Sequence, residues 1–130
     1  MRNLILALTL ILSASSVWAQ QPTGMSVLNI FDQFVISKAA AMACLPANPK
    51  LDASYDENFT AVYQAAWKRL RHIKFSDVSN DEITKTLDKR IAALGEKVTK
   101  DAETEGCNGK AYKELINLYN YHAVWNPYSQ

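Results

Sequence analysis

The sequence predicts an all-α fold: an up-down bundle of four helices, stapled by one disulfide and preceded by a cleaved signal peptide. Three observations carry that prediction. Apolar residues recur at three- and four-residue spacing through four successive segments, which is the period of a helix with one buried face. No segment shows the convincing alternation of a half-buried strand. The chain holds two cysteines, Cys44 and Cys107, and they fall at matching ends of the first and third periodic segments.

The first twenty residues, "MRNLILALTLILSASSVWAQ", have one basic residue, Arg2, then an apolar run from Leu4 to Leu12, then small and polar residues ending in Val17-Trp18-Ala19. That order is the three-part pattern of a secretory signal peptide, with cleavage expected after Ala19. The apolar run is short for a membrane span, and no cysteine follows the cleavage position to take a lipid. Residues 1–19 are therefore read as signal, 20–24 as a short lead-in, 25–126 as one helical domain and 127–130 as a tail. The pattern implies a bacterial periplasmic or secreted protein with no stable membrane insertion after cleavage.

Of fourteen basic and thirteen acidic side chains, the signal removes Arg2, which leaves the mature chain formally neutral. Neutrality argues against nucleic acid or anionic lipid as the main partner, because both need a concentrated basic surface. A chain of this length makes a single core with little surplus stability.

The helices follow in order. In "MSVLNIFDQFVISKAAAMACLP", Val27, Phe31, Phe34, Val35, Met42 and Leu45 share one face, and Pro46 and Pro49 are read as its stop. In "SYDENFTAVYQAAWKRLRHI", Ser54 or Asp56 serves as N-cap, with Ser54 and Glu57 spaced as a capping box. Its stripe is Phe59, Val62, Tyr63, Ala66, Leu70 and Ile73. The third helix opens on Ser79 and Glu82 in the same way, and its narrow stripe is Ile83, Leu87, Ile91, Leu94 and Val98. Asp81 with Lys85 and Glu96 with Lys100 are acid-before-base pairs on its solvated side, and Gly106 stops it. The last helix runs from about Lys110 to Trp125, its stripe supplied by Ala111, Leu115, Leu118, Tyr119 and His122, with Pro127 as terminator.

Short loops make successive helices antiparallel, so the first and third helices end at the same pole. Cys44 and Cys107 then meet, and in an oxidising compartment two such cysteines form one bridge. Closing a loop of about 60 residues stabilises a domain by roughly 4 kcal/mol in the chain-entropy model.

Level-matching by the bridge also proposes a partner for Lys38, which interrupts the apolar face of the first helix. Lys38 precedes Cys44 by as many residues as Asp101 precedes Cys107, so the two fall at one height, with Glu105 as the substitute. The pair is read as structural; a pocket-lining lysine is the functional alternative.

His72 and His122, near Asp77 and Asp81, are weak metal candidates, because their helical phases turn the rings apart. No cofactor is expected, and Met25 and Met42 are assigned to the core. Without a nucleophile-base-orienter set, a glycine-rich phosphate loop or a GxSxG or HExxH motif, the chain is read as non-enzymatic. Aromatics are the remaining signal. Tyr121 and Trp125, extended by Tyr128, lie on a flank of the last helix beside its stripe, and aromatic residues of this kind anchor protein interfaces. The expected function is non-catalytic binding of another envelope protein, of inhibitor, immunity or chaperone type. The alternative is a carrier of a small apolar ligand or metal ion between the helices.

Overall fold

The computed structural model describes residues 26–73 and 77–125. The signal peptide, Met25, Pro127 and Tyr128 lie outside the described residues. Four helices and no strand are found among them: α1 (Val27–Cys44), α2 (Pro49–Ile73), α3 (Asn80–Glu105) and α4 (Lys110–Val124).

Side-chain caps open α1, α2 and α3, whereas α4 follows Gly109 without one. Ser26 caps α1 by accepting from the Leu28 amide. The α2 boundary differs from expectation: the helix starts at Pro49, five residues before Ser54. Asn48 Oδ1 accepts from the Leu51 amide, and Asp52 Oδ2 accepts in return from the Asn48 amide. Pro49 thus opens α2 as its first residue, where its missing N–H costs nothing, instead of closing α1. Ser79 caps α3 by accepting from the Glu82 amide, as its spacing predicted. Gly106 ends α3 with φ 78°, a conformation that L side chains rarely adopt. The turn it makes returns Cys107 to Cys44, and the disulfide closes with the two Cα atoms 5.5 Å apart.

Antiparallel contacts run along the bundle. Tyr63 Oη donates to Asp88 Oδ1 (3.1 Å) and Trp67 Nε1 to Thr84 Oγ1 (3.2 Å), which fixes α2 against α3. Arg71 stacks on Trp67 and donates to the Val78 carbonyl and Asn80, which closes the turn between them. On α3, Lys100 pairs with Glu96 at 2.9 Å, whereas Lys85 lies 3.6 Å from Glu82 instead of meeting Asp81.

The packing is lopsided in an informative way. α1 and α2 each contact all three other helices, α1 the more extensively, while α3 and α4, although consecutive, barely touch. Their tie is Tyr112, whose hydroxyl donates to the Val98 carbonyl (2.6 Å). α1 is therefore the hub, and its Phe31 and Phe34 are wholly buried. The main core adds Tyr55, Val62, Ala66 and Leu70 from α2, Ile83 and Leu87 from α3, and Tyr119 and Ala123 from α4. A smaller cluster of Ala40, Val98 and Tyr112 lies towards the disulfide.

Several stripe positions depart from expectation. Met42 (76 % exposed) faces the open grooves beside α1, and Leu45 (37 %) lies just past the helix end. Ile73, at the end of α2, and Ala111, in the first turn of α4, are exposed at helix ends.

Candidate binding surface

The residues singled out in the sequence do not converge on one place. Lys38 is the first correction. It pairs with Asp56 of α2, not with Asp101 or Glu105, both of which are exposed on α3. Both the height and the angle differ from expectation: Ala40 packs with Val98, and Lys38 shares a groove with Gly95 and Thr99, so Asp101 lies further along α3 while Lys38 turns to α2. Lys38 follows Ser37, whose hydroxyl meets Tyr55 of α2, so its stem leaves α1 on the α2 side; its ammonium lies 5.8 Å from the Tyr55 ring centre. The positions that face α3 are a different set, marked by Asp32, which holds Arg90 through a two-bond grip (2.6 Å from Nε).

Trp125 is the second correction. Its ring sits 5.8 Å from Phe34 and 6.3 Å from His122, and it packs against the main core, only partly exposed. Tyr121 is 55 % exposed, and beside it Val124 is 76 % exposed. The aromatic flank is thus split: one ring is outside and one is folded back by the helix end at Val124.

His122 and His72 are far from equivalent. His72 is exposed at the end of α2, while His122 is buried. Among the described residues no group of three or more His, Cys, Asp and Glu is placed to hold a metal ion. His122 instead belongs to a polar knot that sequence reasoning missed. Its ring stacks on Phe34 at 3.9 Å and 10°. Its Nδ1 lies 3.4 Å from Ser37 Oγ, which also donates to the Phe34 carbonyl (3.2 Å) and meets Tyr55 Oη at 3.3 Å. Tyr55 donates to that same carbonyl, and Tyr119 stacks on Tyr55 and donates to Asp52. Burial pushes both phenols up, with the Asp52 bond adding to the effect at Tyr119. Burial lowers the His122 imidazole from 6.5 to about 4. A serine and a histidine in contact invite a nucleophilic reading, but no carboxylate orients the ring and both groups are sealed from solvent. The knot joins α1, α2 and α4. Asn58 completes it by donating to the His122 carbonyl (2.8 Å), one of the orphan acceptors at the end of α4.

Two open grooves flank the outer half of α1, and Met42 lines both. One, of about 700 Å³, runs round the α1–α2 loop, with Leu45, Pro46 and Leu51 opposite Ile116 and Asn120 of α4. The other, of about 520 Å³ and also apolar, lies between α1, α2 and α3, with Phe34, Val35 and Phe59 at its floor and Ile91, Gly95 and Thr99 along the α3 wall. Lys38 is the one charged residue among the described residues that line it. Gly95 stands in the interior of α3, where glycine costs about 1 kcal/mol against alanine. A Cβ there would meet nothing within 4 Å, so no packing inside the bundle demands it.

α1 is also the most apolar helix. It is long and apolar enough to cross a membrane by length and composition, yet only 33 % of it is buried in the bundle. The apolar start of the chain is compatible with a signal sequence, and the disulfide with an oxidising compartment. No protein-family model, curated protein or solved structure matches the chain.

Proposed function

We propose that this is an exported protein of the periplasm or the extracellular space that works without catalysis, by binding another envelope protein in the manner of an inhibitor, an immunity factor or a chaperone. The observation that carries the reading is Met42, 76 % exposed near the end of the most apolar helix. Leu45 and the loop prolines extend that surface, and Tyr121 and Val124 add a second exposed apolar strip on α4. Large side chains held in water on a stapled scaffold are what a partner covers. Trp125 leaves the contact set, since its ring serves the core. The test is site-specific photo-cross-linking in the native envelope, with the probe at position 42 or 121 and a control at Thr86, exposed on α3. A discrete adduct from 42 or 121, absent from the control, is expected, and the 121 adduct should be lost in Met42→Asp at unchanged melting temperature. The same adducts from all positions, or none, would overturn the reading.

The carrier reading is favoured by a separate observation, the apolar groove beside Lys38. Its volume lies in the range of small-molecule sites.

A further inference from the structure

The groove between α1, α2 and α3 is apolar along its floor, holds one cation at its α2 edge, and is kept open by a glycine that the bundle itself does not need. The groove lining contains no acidic side chain; Asp56, which pairs with Lys38, approaches from outside it. The two partners are not held alike. The Asp56 side chain is 55 % exposed and can return to water, whereas Lys38 is 34 % exposed with its stem along the groove wall. An ion pair this open is weak, so a second carboxylate can take the ammonium at little cost. From Phe34 to Ala43 the groove follows α1 for about 14 Å at the helical rise per residue. Thr99, the other polar residue there, already donates to the Gly95 carbonyl (2.9 Å) and makes no further demand on a ligand.

We propose that this groove binds a single-chain amphiphile bearing one carboxylate, a medium-chain fatty acid in chemical class, with its tail over Gly95 and its head on Lys38. The inference rests on the carrier reading and shares only Met42 with the protein-partner surface.

The experiment is calorimetric titration of the protein with decanoate, decanol and decylammonium, on wild type, Lys38→Gln and Gly95→Leu. Decanoate is expected to bind saturably at one site, ahead of decanol, with decylammonium weakest. Lys38→Gln should weaken decanoate by about tenfold or more, the loss of a charged hydrogen bond, and leave decanol unchanged. Gly95→Leu should abolish both while the melting temperature holds or rises, because the added side chain enters empty space and the helix gains propensity. Absence of saturable decanoate binding, or unchanged binding in folded Gly95→Leu, would overturn the site. Decanol and decanoate both blocked by Gly95→Leu but indifferent to Lys38→Gln would leave a carrier and overturn its carboxylate preference. Equal affinity for decanoate and decylammonium would do the same.

Discussion

Acid should loosen this bundle through one side chain, and the size of the effect follows from the burial of His122. The ring is stacked on Phe34 and enclosed by Tyr55 and Trp125, and burial alone lowers its titration from 6.5 to about 4. The sign is fixed by which state holds the proton. Between pH 6.5 and about 4 the unfolded chain carries it and the folded chain does not. Stability from this group is therefore complete above pH 6.5, falls as pH falls through the window, and levels off below about pH 4. At about 1.4 kcal/mol per unit, the full loss is about 3 kcal/mol, a large share of what a domain of this size possesses. The assay is urea denaturation followed by tryptophan fluorescence at intervals from pH 7.5 to 4, for wild type and His122→Phe. Phenylalanine retains the stack on Phe34, and Ser37 keeps the Phe34 carbonyl and Tyr55 as partners. The difference between the two curves isolates His122 from every other titrating group. Parallel curves, or an imidazole that titrates near 6.5 by NMR in the folded protein, would refute the reasoning.

Reducing the Cys44–Cys107 bridge, whose cysteines lie 63 residues apart, should cost about 4 kcal/mol and lower the melting temperature by more than about 10 °C, read by calorimetry with thiol counting. Trp125→Ala should destabilise by about 2 kcal/mol or more, since the ring packs on the core, while the exposed Tyr121→Ala should stay within about 0.5 kcal/mol; chemical denaturation separates them. A double-mutant cycle on Lys38 and Asp56 should give a coupling below about 1 kcal/mol, and Asp101→Ala should be close to neutral.

The parts of the fold legible in the sequence were those written in local chemistry. Ser79 with Glu82, Gly106, and the periodic Phe31, Phe34, Val62, Ala66, Leu70, Ile83 and Leu87 each act within a turn or a face, and each sits where its spacing put it. The cysteines carried the argument one level further, because a bridge between helix ends constrains which poles meet. What failed was register and angle. A disulfide beyond the helix ends fixes neither the stagger of α1 on α3, where Ala40 meets Val98, nor the direction Lys38 takes around α1, which leads it to Asp56. Hub packing was hidden for the same reason: spacing shows that a helix has an apolar face, not how many neighbours it serves. The Asn48 cap was overlooked because Pro49 was read as a terminator, although proline after a capping residue is equally a start. Ser37 inside an apolar run and Gly95 inside a helix were the two legible anomalies. One marks the buried knot and the other the open groove.

The central place of α1 has a consequence for the order of assembly. A chain is made from its N-terminus, so the helix that every other helix leans on emerges first, and its furthest hydrogen bond, Ser37 with His122, spans 85 positions. Cys44 waits through two helices for Cys107, and until α4 follows, Phe34 lacks its stacking ring and Tyr55 lacks Tyr119. Loop closures of that length are slow relative to helix formation. The nascent protein therefore passes through a stage in which its most apolar segment is formed, uncovered and reactive at one thiol. A ribosomal stall or a protease cut before residue 107 would leave Cys44 without its partner, and one between 107 and 110 would still leave Phe34 and Tyr55 without their cover, so the final fifteen-residue helix acts as the latch that closes the core.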